Sequence, residues 1–235
     1  MSDPLFLVAS LPEDDELTLD GPEGHHAATV ARLRAGEALL VGDGRGTLVR
    51  AQVSAVGKGT LTVMLGERTY EPAPTQRIVV AQGIAKGDRG ELAVQAMTEA
   101  GVDAVIPWDA ARSVARWTSP RPYDRWVQAA REAAKQSRRA WVPDVAPLAS
   151  TKDLAGRVTF VLHESATEPL SQVELPPVGD LVLVVGPEGG ISPEELLAFE
   201  ESGARAVRLG SQVLRTSTAG VAALAVVNTR TGRWT

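Results

Sequence analysis

The chain has 235 residues, of which 44% are hydrophobic, and a formal net charge of −5 at pH 7. This length suits one large or two small domains with enough apolar content for a core. The absence of cysteine excludes disulfides, thiolate nucleophiles and Cys-ligated zinc. No apolar run is long enough to span a membrane. The first residues lack a basic, apolar leader pattern, so we expect a cytoplasmic protein with no membrane partner.

The first 70 residues predict a small β-barrel. Strand-like runs at Glu37–Val41, Leu48–Val53 and Thr60–Leu65 are separated by the turn signals GDGRG and GKG. His25–Leu33, before these runs, has the pattern of one short helix. The prolines of Glu71–Thr75 favour an extended linker, so we place a domain boundary there.

Strands and helices alternate from the linker to the end of the chain. This alternation predicts an α/β domain with a parallel sheet and crossover helices. The predicted strands are Ile78–Gln82, Ala104–Trp108, Val158–Leu162 and Leu181–Val185, and the predicted helices are Asp88–Ala100, Pro122–Arg139 and Ser217–Thr229. The last helix is apolar over most of its surface, so we expect it to be buried in the core or against a partner subunit. Its apolar surface comes from Val221, Leu224, Ala225 and Val226.

Two neighbouring segments share one pattern: an apolar run, a glycine-containing loop and a helix. They read LVLVVGPEGGISPEEL over 181–196 and RLGSQVLRTSTAG over 208–220. Ser192, Pro193 and Glu195 predict a capped helix start after the first loop. Ligands of open α/β sheets bind at the carboxyl ends of strands, where both loops lie. Glu188 would repel phosphate, which favours a neutral or cationic ligand; the alternative is a tight turn without a ligand.

Positive charge is concentrated in residues 112–139, which hold eight of the 24 basic residues and two of the 29 acidic ones. Clustered arginines bind phosphate backbones, and aromatic rings offer stacking surfaces. The basic residues are Arg112, Arg116, Arg121, Arg125, Arg131, Lys135, Arg138 and Arg139, with Trp117 and Trp126 among them. This composition indicates an RNA-binding segment. The alternative is a solvated helix face with Trp126 in the core.

The two loop motifs resemble the signature segments of the RsmE family of SPOUT methyltransferases. KGDRGELAVQAMTEAGV at 86–102, AREAAKQSRRAWVP at 130–143 and HHAATVARLRAGEALLVGDGRG at 25–46 also resemble segments of this family. The resemblance covers nearly the whole chain in the expected order. It implies a PUA-like RNA-binding β-barrel over 1–72 and a SPOUT methyltransferase domain with a trefoil knot over 73–235. Such a knot is a rare exception to the unknotted rule.

The resemblance also implies an activity. The family binds S-adenosylmethionine in the knot loops, acts as a homodimer and methylates N3 of one uridine in the 16S rRNA of the small ribosomal subunit. The positions that match its cofactor site are Leu162, His163, Gly186, Glu188, Gly190, Leu209, Gly210, Val213, Leu214, Thr216, Thr218 and Ala219. For His163, the alternative to cofactor binding is a purely structural role. We expect no metal, because the adjacent His25 and His26 make a poor metal site in a chain without cysteine.

Arg215 is the candidate catalytic residue, since a permanent cation suits a developing oxyanion on uracil. Its alternative role is an ion pair with Glu188 or with phosphate. The candidate RNA-binding residues are Arg112, Arg116, Arg131, Arg138 and Arg139.

The chain departs from the family pattern at three places. Ser217 stands where Glu is usual, so a catalytic duty for that carboxylate is doubtful. Gln212 stands where Arg is common. Pro4 and Leu5 precede Phe6 where an Arg is often found, so RNA contacts there are open. Two other functions remain: a knotted methyltransferase acting on another RNA, such as a tRNA ribose, and a non-catalytic RNA-binding factor.

Overall fold

The computed structural model describes residues 3–234, which form two units. One unit comprises the described residues up to Ala73 together with Ala134–Val142, and the other comprises Pro74–Ala133 and the described residues from Pro143. The division of the sequence into domains 1–72 and 73–235 stays a prediction. Residues 1, 2 and 235 of these predicted domains lie outside the described part of the chain.

The first unit is built on a five-stranded sheet with the order β1-β3-β4-β5-β2. β1 pairs parallel with β3, and the other neighbours are antiparallel. Two register shifts interrupt the pairing of β4 with β5, and such bulges bend a sheet. The strands are β1 (Leu5–Leu7), β2 (Glu16–Leu19), β3 (Ala38–Gly42), β4 (Thr47–Val56) and β5 (Leu61–Tyr70). Their inward side chains form a separate core around Phe6, Leu39 and Val63.

The three strands predicted in this unit are confirmed, and β4 and β5 extend beyond their predicted ends. The helix predicted over His25–Leu33 is wrong in its limits. Helix α1 (Gly21–His25) begins earlier, with Pro22 in its first turn, and continues as a π-helix over His26–Val30. Proline favours a helix start, which explains the earlier beginning.

The second unit is built on a six-stranded parallel sheet with the order β11-β9-β10-β6-β7-β8. Its strands are β6 (Gln76–Gly83), β7 (Ala104–Trp108), β8 (Asp144–Val145), β9 (Phe160–Leu162), β10 (Gly179–Val185) and β11 (Arg205–Val207). Its helices are α2 (Arg89–Glu99), α3 (Arg121–Gln136, whose last turn belongs to the first unit), α4 (Thr151–Leu154), α5 (Pro193–Glu201) and α6 (Thr216–Thr231).

The central strands are buried on both faces, as their continuous apolar runs predict. Ile78 and Val80 of β6 face one hydrophobic core, and Val79 and Ala81 face another. The predicted strand Ala104–Trp108 is confirmed at both ends. No helix within residues 3–234 is long and apolar enough to cross a membrane.

Two helix predictions need correction. α3 ends at Gln136, three residues before the predicted end, because Arg138 takes a positive φ of 55° that no α-helix continues. α6 is buried on one side as expected, but Leu224 is 0% exposed and packs in the core of its own unit. Leu224 therefore offers no surface to a partner subunit.

The helix start predicted at Ser192 is confirmed, and Glu195 does more than cap it. The Ser192 hydroxyl accepts from the Glu195 N–H, and Glu195 Oε2 accepts from the Ser192 N–H at 3.1 Å. Glu195 Oε1 accepts from the Ala111 N–H at 2.7 Å and from the Thr151 hydroxyl at 2.9 Å. One buried carboxylate thus joins α5, α4 and the loop after β7.

Glu195→Ala should lower the free energy of unfolding by about 2–4 kcal/mol, because it leaves three buried or part-buried donors without this acceptor. Urea unfolding measures this change. Glu194→Ala is the matched control, since Glu194 is the exposed neighbour in the same helical turn. Equal losses in the two variants would contradict a bridging role for Glu195.

Candidate functional site

A cavity of about 520 Å³ opens at the carboxyl ends of β9 and β10, between the loops that follow β10 and β11. These are the two loops with the repeated sequence pattern. The cavity is lined by Arg89, Arg112, Leu162, Glu164, Val185, Gly186, Pro187, Glu188, Gly189, Gly190, Ile191, Val213, Leu214, Arg215, Thr216 and Ala219. Its wall therefore combines apolar side chains, bare backbone and charged groups of both signs.

A smaller cavity of about 90 Å³ adjoins it and shares part of the same lining. Its further residues include His163, Leu209 and Gly210. Every predicted cofactor-binding residue except Thr218 lines one of the two cavities. The Thr218 hydroxyl instead donates to the Arg215 carbonyl at 3.1 Å, which closes the first turn of α6.

One buried hydroxyl links the loop after β10 to the end of the loop after β11. Thr216 Oγ1 donates to the Gly186 carbonyl at 2.8 Å and accepts from the Gln82 side-chain amide at 2.9 Å. Gln82 is 0% exposed and lies near the end of β6. The end of β6, the loop after β10 and the start of α6 therefore meet at Thr216.

Two glycines of the loops have different structural roles. Gly190 takes a φ of +73°, which L side chains rarely adopt, so it sets the turn before Ile191. A Cβ at Gly210 would meet only Gln212 Oε1, at 3.6 Å, so that backbone borders open space at the smaller cavity. Gly210 therefore leaves its space to a ligand and not to packing.

Glu188 is held by donors from an element distant in sequence. Its Oε1 accepts from the Lys86 N–H and from the Arg89 guanidinium, both at 3.1 Å. Burial alone would raise the pKa of Glu188, but the N–H groups of Glu188 and Lys86, with Arg89, outweigh burial and lower the pKa below its ordinary value. Glu188 is therefore an anion near neutral pH.

Arg215 lies just before α6, at the N-cap position, and lines the main cavity. Its side chain is exposed and makes no hydrogen bond or ion pair with the residues that the structure describes. The alternative ion pair with Glu188 does not form, because Arg89 occupies that carboxylate. Arg215 thus brings a free cation to the cavity.

The five predicted RNA-binding arginines lie in different settings. Arg112 lines the cavity, with its guanidinium 3.5 Å from the carbonyls of Gly189 and Ile191. The Arg116 guanidinium binds Asp109 at 2.7 Å and the carbonyls of Ala110 and Ala111, so it also braces its own loop. Arg131 lies in the second unit, whereas Arg138 and Arg139 lie in the first.

Sequence reasoning missed Gln82, Arg89 and Glu164. Gln82 was visible as one amide inside an apolar strand, and Arg89 and Glu164 had no local signal. His163 lines the smaller cavity, and its Nδ1 lies 2.8 Å from the Ser165 hydroxyl. Within residues 3–234, no group of three or more His, Asp or Glu side chains is placed to hold a metal ion.

The chain has an α/β unit with a loop-built cavity and a small β unit, and models of RNA methyltransferase domains match both parts. Residues 71–228 match the model of the RNA methyltransferase domain, and residues 19–65 match that of the RNA methyltransferase PUA domain. The methyltransferase match covers more than half of the chain, so the second unit contains a methyltransferase domain. The PUA match lies in the first unit, which therefore contains a PUA-like domain.

Individual relatives narrow this class. The chain is 46% identical to the ribosomal RNA small subunit methyltransferase E of Mycobacterium bovis, over 98% of this chain and 93% of the relative. It is 30% identical to that of Bacillus subtilis, over 94% and 93%. A Neisseria gonorrhoeae ribosomal RNA small subunit methyltransferase E, solved bound to S-adenosyl methionine, matches with a TM-score of 0.89, 28% identity and full coverage of both chains. The chain belongs to the ribosomal RNA small subunit methyltransferase E family.

Proposed function

We propose that this protein methylates N3 of one uridine in the 16S rRNA of the small ribosomal subunit. Family membership makes it a methyltransferase of small-subunit ribosomal RNA that uses S-adenosylmethionine. The choice of uridine N3 is supported by the resemblance of the two loop motifs. The observation that carries the mechanism is the free guanidinium of Arg215 at the cavity.

The cavities suit S-adenosylmethionine in shape and chemistry. Leu162, Leu209, Val213 and Leu214 offer apolar surface for an adenine ring, and backbone groups of the two loops offer hydrogen bonds to its edge. The carboxylate of Glu188 suits a ligand with cationic groups. We assign these roles, with Gly186, Gly190, Gly210, His163, Thr216 and Ala219, to cofactor binding. Thr218 acts through the turn that it closes.

S-adenosylmethionine supplies an electrophilic methyl group on a sulfonium. Uracil N3 must lose its proton to solvent before it can bond to that carbon, and the carbon–sulfur bond breaks with its electron pair left on sulfur. The negative charge then spreads to the uracil oxygens, where Arg215 stabilises it. The loops hold the partners in line and exclude water.

The proton acceptor is not on α6. The first turn of this helix holds no acidic residue, because Ser217 stands where the family usually has Glu. The lowered pKa makes Glu188 a weak base. Proton loss from N3 therefore relies more on stabilisation of the anion than on a strong neighbouring base, which increases the demand on Arg215.

The remaining assignments follow the family resemblance. Residues 1–72 act as the PUA-like RNA-binding domain and residues 73–235 as the SPOUT domain, with the loops after β10 and β11 forming the trefoil knot. A ribosomal RNA substrate supports a cytoplasmic location. No metal takes part in the proposed chemistry, since a sulfonium needs no Lewis acid.

Transfer of labelled methyl from S-adenosylmethionine to small subunits of a deletion strain tests the proposal. Nucleoside analysis should show 3-methyluridine at one position. A 2′-O-methylated nucleoside would favour the alternative tRNA-type activity. RNA binding without transfer would favour a non-catalytic factor.

Gly210→Val should abolish binding of S-adenosylmethionine and leave the fold intact, because the added side chain enters ligand space. Calorimetry measures the affinity, and thermal unfolding serves as the check on folding. Gly186→Val is the contrasting variant: its Cβ would lie 2.9 Å from Ile191 Cγ1, so it should also destabilise the protein. Wild-type affinity in Gly210→Val would remove that loop from the site.

Arg215→Ala should lower single-turnover methylation about 100-fold, with little change in cofactor affinity, because the missing charge acts mainly in the transition state. Arg215→Lys keeps a cation and should recover part of the rate. A wild-type rate in Arg215→Ala would place the catalytic group elsewhere.

Replacing Arg131, Arg138 and Arg139 together by Ala should weaken RNA binding and flatten its salt dependence. The log–log slope falls by roughly 0.9 for every duplex phosphate that the protein no longer neutralises. Arg77, Arg157 and Arg205, which lie near the amino ends of strands, provide a control triple substitution to Ala. Equal salt slopes for both triple variants would make the basic segment a solvated face only.

We also expect a homodimer built on α6. Val221, Ala225 and Val226 are half-buried there, and Val213 of the preceding loop is 80% exposed, so a partner subunit has apolar surface to cover. Analytical sedimentation at micromolar concentration should show a dimer. Val221→Glu should convert it to a monomer, and a monomeric wild-type protein would end this proposal.

A further inference from the structure

A recess separate from the main cavity is lined in part from the same two segments, the start of α2 and the loop after β7. Arg89 at the start of α2 lines the cavity, whereas Gly87 and Glu91 line the recess. In the loop after β7, Arg112 lines the cavity and Arg116 lines the recess. The recess measures about 180 Å³ and is lined by Ala85, Gly87, Glu91, Ala115, Arg116, Trp117, Pro122, Arg125 and Trp126. The proposed methylation chemistry does not use it.

Two tryptophans form one side of the recess. The rings of Trp117 and Trp126 pack edge to face, with centroids 5.0 Å apart and an interplanar angle of 89°. Trp126 is 2% exposed and lies so close to Gly90 that a Cβ there would be 2.8 Å from the indole. Trp126 is thus a fixed support, and Trp117 is the partly exposed ring that an incoming group can stack on.

Charged groups of both signs surround this aromatic surface. The Arg125 Nε lies 2.9 Å from Glu91 Oε1, and both Arg116 and Arg125 are exposed at the recess. Glu91 Oε2 is buried and has no hydrogen-bond partner among the described residues. A buried acceptor without a donor is costly, so a ligand that donates to it gains free energy.

A ring to stack on, guanidinium groups and one carboxylate oxygen that lacks a donor together suit a nucleotide. The base stacks on Trp117, its phosphate lies near the arginines, and its N–H group donates to Glu91 Oε2. A uracil that donated its N3–H to Glu91 could not present N3 to a methyl donor. The base in the recess is therefore not the base that is methylated.

We propose that this recess binds a second base of the RNA substrate, stacked on Trp117 with an N–H group directed to Glu91. The proposal rests on the proposed function for the identity of the substrate as RNA. Recognition of a neighbouring base would fix the register of the RNA, so that the target uridine and no other reaches the cavity.

The first test compares KM and kcat for unmodified small ribosomal subunits. Trp117→Ala should raise KM about tenfold, since stacking of one base is worth about that factor. The affinity for S-adenosylmethionine should not change. Trp117→Phe keeps an aromatic ring and should restore most of the KM, which separates stacking from a folding defect. Glu91→Gln should also raise KM, because the amide competes poorly as an acceptor.

Two variants serve as matched controls. Trp234→Ala removes an exposed tryptophan at the end of the chain, and Glu99→Gln changes a carboxylate on an exposed position of the same helix as Glu91. Both should keep the wild-type KM. Thermal unfolding of every variant shows whether the protein is folded.

The second test needs no catalysis. Quenching of tryptophan fluorescence is titrated with AMP, GMP, CMP and UMP. At least one of the four nucleotides should quench the fluorescence. Trp117→Phe should remove this quenching, and Glu91→Gln should weaken it.

The outcomes separate the two proposals. If wild-type protein transfers no methyl group to subunits, the proposed function fails and the fluorescence titration alone decides on the recess. If methylation is normal but folded Trp117→Ala keeps the wild-type KM, or none of the four nucleotides causes quenching that depends on Trp117, the recess does not bind a base of the RNA.

Discussion

The buried hydroxyl of Thr216 is the contact on which the site depends. It donates to the carbonyl of Gly186 and accepts from the amide of Gln82, so it links segments that are more than a hundred residues apart in sequence. β6 and β10 are neighbours in the sheet, which brings their carboxyl ends together. A Cβ at Gly83 would lie 2.6 Å from the Pro187 nitrogen, so only glycine allows this approach. The sheet and these contacts therefore position the loops that form the cavity.

This geometry pairs Glu188 with Arg89 and leaves Arg215 unpaired among the described residues. Glu188 is occupied by Arg89 and by the Lys86 N–H, which fixes the loop after β10 and keeps the carboxylate ionised. Arg215 keeps its guanidinium free of the other described side chains. One arginine thus pairs with the Glu188 carboxylate, and another stays exposed at the cavity. In the proposed mechanism, that second cation is left for the charge that develops on the substrate.

The sequence predicts best what is decided locally. The capping box of Ser192 and Glu195 lies within one helical turn, and the apolar runs of the parallel strands are continuous, so both were confirmed. The two-residue strand β8 is too short to carry a pattern, and α3 ends early through a backbone angle at Arg138 that no residue type announces. The partners of Glu188 lie about a hundred residues away, so only the folded sheet reveals them.

The basic segment also shows why a count of charges overstates contact with RNA. Lys135 is 7% exposed and lies 3.1 Å from Glu23, so its charge serves the fold of the first unit. Arg116 is bound to Asp109 and Arg125 to Glu91, which positions both guanidinium groups beside the recess and leaves part of each exposed. An acidic protein that binds RNA cannot rely on its net charge to attract the backbone. It gains specificity instead where exposed cations such as Arg116 and Arg125 are held in place, because a fixed guanidinium recognises one arrangement of phosphates and bases and a mobile one accepts many.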